Sequence, residues 1–150
     1  MISNKNMQKN LVSVTSGEII SLRELHNENQ NAGYVVCSDS NIIHSPCRGI
    51  VSQISQNSDS YTLVSDDGLI IFVGIDMIYK QLRITPYINK NDRVERGQII
   101  AIIEKEYILP SNKKLITPVY VINSEKLKNY SARESGRMIG GKSISLTYKI

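Results

Sequence analysis

Short runs rich in β-branched residues, separated by Gly, Asn and Asp, constrain the fold of this chain more than any other feature. They fall at Ile19–Leu22, Tyr34–Cys37, Ile50–Ile54, Tyr61–Val64, Leu69–Val73, Ile99–Ile103 and Pro118–Ile122. Strands spaced so regularly predict an all-β protein, an antiparallel β-barrel or sandwich with at most short helices. A last strand is expected at Ser143–Lys149. One short helix is expected at Ser124–Asn129, where Ser124 can cap a Glu125-Lys126-Leu127-Lys128 turn.

Asp67-Gly68, between two apolar runs, is a strong two-residue hairpin signal because both residues tolerate positive φ. The run Leu69–Phe72 is therefore expected to fold back on Tyr61–Ser65. With a two-residue loop, Ser65 lies opposite Ile70 and Leu63 opposite Phe72, which gives Phe72 an apolar cross-strand neighbour. A faint internal echo relates Ser13-Val14-Thr15-Ser16-Gly17-Glu18-Ile19 to Ser45-Pro46-Cys47-Arg48-Gly49-Ile50-Val51, thirty-two residues on. Such an echo suits a sheet built from two similar halves.

The 150 residues fit one domain, and no Pro-, Gly- or Ser-rich linker divides them. Residues 1–10 are polar and Asn/Lys-rich and are expected to be a flexible N-terminus, leaving 11–150 as the β domain. No apolar run suits a signal peptide or a membrane span, which points to a cytoplasmic protein without membrane insertion. Cys37 and Cys47 lack metal-type spacing, so no disulfide framework, metal site or cofactor is expected. The net charge is +4, and between Ser111 and Ile150 eight Lys/Arg face only Glu125 and Glu134. That end reads either as a solvated positive face or as an attraction to an acidic partner, including nucleic acid. Nucleic acid is the weaker choice, because no aromatic residues interleave with the arginines as a stacking platform.

Collinear motifs then narrow the family. Ser16-Gly17-Glu18-Ile19-Ile20 resembles an S-G-E-I-V strand, and Ser45-Pro46-Cys47-Arg48-Gly49-Ile50-Val51 an A-P-x-D-G-x-[IV] block. Asn91-Asp92-Arg93-Val94-Glu95-Arg96-Gly97-Gln98 resembles G-D-x-V-x-x-G-Q, and Ile116-Thr117-Pro118-Val119-Tyr120-Val121-Ile122-Asn123 a T-P-V-[IV]-[IV]-[ST]-N strand. In this order the motifs resemble the glucose-type enzyme IIA family of the bacterial phosphotransferase system. The resemblance implies a duplicated barrel-sandwich hybrid fold. It also implies relay of a phosphoryl group from the phosphocarrier HPr to a sugar permease through a histidine pair.

This chain departs from the family at both histidines. Phe72, in Ile71-Phe72-Val73-Gly74-Ile75-Asp76, stands where V-H-x-G-I-D carries the phosphate acceptor. Asp59 falls at the second histidine, counted back from Ser65-Asp66-Asp67-Gly68, and Asn57 matches a family threonine. A neutral imidazole nitrogen is the nucleophile in such a relay, and Phe72 has none. Asp59 could accept a phosphoryl group only with a divalent cation and further acidic ligands, and no such cluster is visible. The family loop between the first two strand pairs is shortened to about Leu25–Gly33, and Lys80-Gln81-Leu82-Arg83-Ile84 replaces G-x-G-F. Asp76 reads as a surviving partner contact or as a carboxylate capping the end of its strand. The two histidines, His26 and His44, read as a surface-loop residue and a half-buried strand residue.

Three functions remain open at this point. The first is a protein-binding regulatory module linked to sugar uptake, docking HPr, a permease or a metabolic regulator through Tyr61, Ile70, Phe72 and Val73. The second is an active phosphocarrier with a non-histidine acceptor such as Asp59. The third is a basic β domain for nucleic acid.

Overall fold

The computed structural model describes residues 8–20, 32–75, 83–104 and 115–150. The first seven strands are β1 (Lys9–Val12), β2 (Gly17–Ile20), β3 (Gly33–Ser38), β4 (Ile42–His44), β5 (Gly49–Ile54), β6 (Ser60–Ser65) and β7 (Ile70–Gly74). They are followed by β8 (Ile84–Pro86), β9 (Arg93–Val94), β10 (Ile99–Ile103), β11 (Leu115–Val121), β12 (Asn129–Ala132), β13 (Arg137–Met138) and β14 (Ile144–Lys149). An eight-stranded sheet runs β13-β2-β3-β11-β7-β6-β5-β9, and two three-stranded sheets run β1-β14-β12 and β4-β10-β8. All observed pairings are antiparallel. The fold is the expected antiparallel β-sandwich, but the sheets do not close into a barrel.

Strand alternation sorts the side chains. Along β11, Leu115, Thr117, Val119 and Val121 are buried while the residues between them are partly exposed. Along β6, Tyr61, Leu63 and Ser65 point inward, and along β7 Ile71 and Val73 do. These join Tyr34, Val36, Ile43, Ile100, Ile103 and Leu146 in one core. Each such aliphatic side chain contributes about 1.5–3 kcal/mol by leaving water.

The internal echo is a structural duplication. Ser13 Oγ donates to Thr15 O at 2.8 Å, and Ser45 Oγ donates to Cys47 O at 2.7 Å. Gly141 N donates to Ser13 O and Gly97 N to Ser45 O, at 2.7 and 2.8 Å. Asp39 N reaches Ser16 O and Asp66 N reaches Arg48 O, both at 3.0 Å. Gly17 pairs with Ser38 and Met138, as Gly49 pairs with Ser65 and Val94. Even an ion pair recurs, Arg137 with Asp39 and Arg93 with Asp66. Most of these bonds run through backbone, which is why so little side-chain identity is needed to repeat them.

Four expectations need correction. The β6–β7 connection is a three-residue loop, because Ser65 N donates to Leu69 O (2.8 Å) and Gly68 N to Ser65 O (2.9 Å), with Gly68 at φ +90°. The third loop residue takes the left-handed conformation that such loops require. The register accordingly differs by one residue: Val64 faces Ile70, Leu63 faces Ile71, and Phe72 faces Thr62 rather than Leu63. The expected helix at Ser124–Asn129 is one 3-10 turn, Ser124–Lys126, and its N-cap residue is Asn123. Ser124 Oγ instead accepts from Ala32 N at 2.9 Å and donates to Val121 O. Finally, Lys9 and Asn10, expected in the N-terminal tail, pair with Tyr148 and Thr147 in β1.

Asp67 ties both terminal strands to this hairpin. Its carboxylate accepts from Tyr148 Oη at 2.7 Å and from Ser65 Oγ, with Lys9 Nζ at 3.3 Å. Burial alone would raise the carboxyl pKa, but the bonds from Ser65, Tyr148 and Lys9 and the Lys9 charge bring it below its ordinary 3.8. A depressed carboxyl pKa adds stability above the unfolded-state value, and that stability is lost as pH falls through the folded-state value. Asp67→Asn is therefore expected to lower the urea midpoint at pH 7. The gap between variant and wild type should narrow as pH falls below about 4; a gap independent of pH would contradict the charge assignment.

Candidate functional site

Phe72 sits near the middle of the outer face of the eight-stranded sheet. It is half-buried, opposite Thr62 on one side and Tyr120 on the other. Its ring stacks on Tyr120 with centroids 6.0 Å apart and planes 11° apart. An offset aromatic pair of this kind contributes about 0.5–1.5 kcal/mol beyond its buried area. Gly74 makes the room: a Cβ there would lie 2.9 Å from Phe72 Cε1 and 3.3 Å from Pro118 Cγ. Gly33 does the same for Tyr120, whose Cδ1 would lie 3.1 Å from an added Cβ.

One ladder step away runs an apolar row across four strands. Ile50 faces Val64, Val64 faces Ile70, and Ile122 N donates to Ile70 O at 2.7 Å. Ile50 and Ile122 are 42% and 46% exposed, large values for isoleucine in a sheet. Asn123 fixes the end of the row, accepting from Ile70 N at 2.8 Å and donating to Gly68 O at 2.9 Å. The face therefore carries Ile50, Val64, Ile70, Ile122, Phe72 and Tyr120, with Thr62 opposite Phe72 and the exposed Arg93 opposite Ile50 at its edge.

Tyr61 and Val73, expected on this face, are fully buried. They alternate with Ser60, Thr62 and Phe72, so the pleat turns them into the core. Burial pushes the Tyr61 hydroxyl up to about 12. Ile70 and Phe72 are the two candidates that the structure brings together. Tyr120, Val64, Ile50 and Ile122 were missed, although alternation along Pro118-Val119-Tyr120-Val121-Ile122 marks its even-numbered residues as one face.

Asp59 lies in the turn before β6. Its Oδ1 accepts from Ser55 Oγ at 2.6 Å, and Ser55 Oγ in turn accepts from Asp59 N and Ser60 N, both at 3.0 Å. Asp59 O accepts from Ile75 N at 2.8 Å, which places the residue beyond the last ladder pair, Ser60 with Gly74. Phe72 is two residues before Gly74, so the sheet does not set Asp59 beside it. Asn57 is exposed in the same turn. Asp76, His26 and 80–82 lie outside the described residues, as does 25–31 of the short loop.

His44 is half-buried on β4, with Nδ1 at 2.8 Å from Gly97 O and its ring against Gly140 and Gly141. Cys37 is half-buried and Cys47 buried, and burial pushes the Cys47 thiol up to about 12. Among the described residues no group of three or more His, Cys, Asp or Glu could hold a metal ion. Among them, too, no helix is long and apolar enough to cross a membrane.

This arrangement of strands matches glucose permease IIA from Mycoplasma capricolum with a TM-score of 0.77, over 97% of this chain and 99% of that one, at 15% identity. The class is thus a IIA-type β-sandwich. The family model for the phosphoenolpyruvate-dependent sugar phosphotransferase system, EIIA 1, matches residues 9–127, and the chain belongs to that family. Among its relatives is the glucose-specific EIIA component of Buchnera aphidicola subsp. Baizongia pistaciae, 27% identical over 143 residues, covering 90% of this chain and 84% of the relative. The glucose-specific EIIA component of Borreliella burgdorferi is 24% identical over 133 residues, 83% of this chain and 70% of that protein.

Proposed function

We propose that this domain is a docking module of the sugar phosphotransferase system that does not carry phosphate and binds its protein partner through the outer face around Phe72. The observation that carries this reading is the Phe72–Tyr120 stack beside the apolar row Ile50, Val64, Ile70 and Ile122; the sequence resemblance sets Phe72 where the family's phosphate-accepting histidine would stand. A phosphoryl group adds a charge of about −1.5 to −2 and three strong acceptors, and such a group disrupts apolar docking. Phe72 removes that option and holds the face in one state. Partners of the expected kind are HPr, a permease domain or a metabolic regulator.

Asp59 offers no support for a carrier role, because its carboxylate is engaged by Ser55 and, among the described residues, no acidic cluster accompanies it. Incubation with enzyme I, HPr and labelled phosphoenolpyruvate is expected to leave this chain unlabelled while a histidine-bearing EIIA in the same tube is labelled. Label on this chain, at Asp59 or elsewhere, would overturn the proposal.

A further inference from the structure

The duplication separates ion pairs that the scaffold repeats from charges that occur only once. Arg93 with Asp66 is repeated as Arg137 with Asp39, so that pair belongs to the fold. A cleft of about 520 Å³ that includes Asp66 is also lined by Lys9, Asn10, Arg48, Asp67, Arg96 and Tyr148, with Glu95 as its third carboxylate. In the other half the matching positions are Asn41 for Lys9, Ile42 for Asn10, Ser16 for Arg48, Ser40 for Asp67, Gly140 for Arg96 and Ile103 for Tyr148. Every charged residue of this set is replaced by a neutral one where the same backbone recurs. The fold does not require the cluster.

Of the three carboxylates in the cleft, Asp66 and Asp67 are already engaged, while Glu95 has Arg48 at 3.5 Å. The Asp67 carboxylate already accepts from Ser65 and Tyr148 and is paired with Lys9. Asp66 receives Arg93 Nη2 on both oxygens, at 2.9 and 3.0 Å. Arg48 Nε stands 3.4 Å from Asp66 and 3.5 Å from Glu95, too far for well-formed hydrogen bonds. Arg96 makes no ion pair among the described residues; its guanidinium donates to the neutral Asn10 Oδ1. Among those residues the Arg96 guanidinium thus has no carboxylate oxygen within 4.0 Å, although Asp66, Asp67 and Glu95 line the same cleft. Arg48 and Arg96 stand at the exposed side of the cleft, where ion pairs contribute little to stability, so stability does not account for these two charges.

We propose that this cleft binds a small phosphate-bearing anion, held by Arg96 and Asn10 with Lys9 and Arg48 at its sides. Arginine donates in a planar fork that matches phosphate oxygens, and lysine adds a point charge. Asp67 is not a ligand of the anion; bound to Tyr148 and Lys9, it fixes the Lys9 ammonium at the wall of the cleft. The site lies at the β6–β7 loop and the β1–β14 pair, and its occupancy does not depend on the docking face around Phe72.

Calorimetric titration of the full chain with inorganic phosphate, at ionic strength held constant with chloride, tests the assignment. Saturable binding with a Kd near or below about 1 mM is expected, with amide NMR shifts concentrated at Lys9, Asn10, Arg48, Asp67 and Arg96. Arg96→Gln is expected to weaken binding at least about tenfold, since it removes the charge-assisted donors, while Lys128→Gln, outside the cleft, changes nothing. Arg96 is exposed, and an unchanged melting temperature confirms that the variant is folded. Glycerol phosphate, as a second probe, distinguishes a monoester from free phosphate as the preferred form. No saturation by about 20 mM phosphate, an unaltered affinity in Arg96→Gln, or equal affinity for acetate would overturn the proposal.

Discussion

Gly49→Ala is expected to destabilise this domain by more than about 3 kcal/mol, enough to remove much of the stability of an ordinary domain. A Cβ at Gly49 would lie 2.8 Å from Val64 C and 2.9 Å from Ser65 Cα, and would overlap the Val64 carbonyl oxygen. All three atoms belong to the backbone of the neighbouring strand, so no rotamer change relieves the clash. Gly49 is buried and pairs with both Ser65 and Val94, so moving β5 aside opens a ladder on each side. Gly17→Ala meets the same obstacle in the other half, where Cys37 C and Ser38 Cα would both stand 2.9 Å away. The duplication thus makes a paired prediction. Thermal melts of both variants should show large, similar losses, whereas Ser52→Ala, on the same strand as Gly49, should melt close to wild type. A Gly49→Ala protein melting within a few degrees of wild type would show that β5 and β6 separate more easily than their packing implies.

The same glycines show what is legible in the sequence. The spacing of Ser, Gly and a β-branched residue at Ser13–Ile19 and Ser45–Val51 reflects turns whose hydrogen bonds are largely backbone, and backbone geometry demands few fixed residues. Strand positions such as Ile99–Ile103 and Ile50–Ile54 follow from β-branched runs bounded by turn formers. Short edge strands such as β9 and β13, each two residues long, carry no such run and escape a reading of this kind. The register of the β6–β7 hairpin is ambiguous from sequence because Asp67-Gly68 suits either loop length. The hydroxyl of Ser65, which accepts from Leu69 N at 2.9 Å and donates to Asp67, accompanies the longer loop. A one-residue slip exchanges the cross-strand neighbour of every side chain. Placing Phe72 together with Val73 on one surface overlooks the period of two, which puts consecutive strand residues on opposite faces. Tyr120 is out of reach from local sequence, since β11 joins β7 only through the sheet order.

Phe72→Asp is expected to weaken docking of the protein partner proposed for this face by about 2–4 kcal/mol, roughly thirtyfold to several hundredfold in Kd. Two effects add. The ring that stacks on Tyr120 is lost, and a carboxylate enters a position whose ladder partners Thr62 and Tyr120 and neighbour Ile70 offer it no cation, Arg93 lying two strands away opposite Ile50. When a partner covers that face, the carboxylate loses water without gaining a counter-charge, an expensive transfer. In the free protein Phe72 is only half-buried, so the carboxylate stays solvated and the fold is kept. Phe72→Leu separates shape from charge: it loses the aromatic stack but stays apolar, and its affinity should fall by no more than about tenfold. Ile122→Asp, at the exposed end of the row, should weaken docking in the same direction but less. Titration calorimetry with each candidate partner measures the series, with circular dichroism as the check on folding. If Phe72→Asp binds every partner of the wild-type protein with unchanged affinity, the face around Phe72 and Tyr120 is a bare sheet surface and docking takes place elsewhere. If the losses fall in the order Phe72→Asp, Ile122→Asp, Phe72→Leu, the Phe72 ring lies at the centre of the contact.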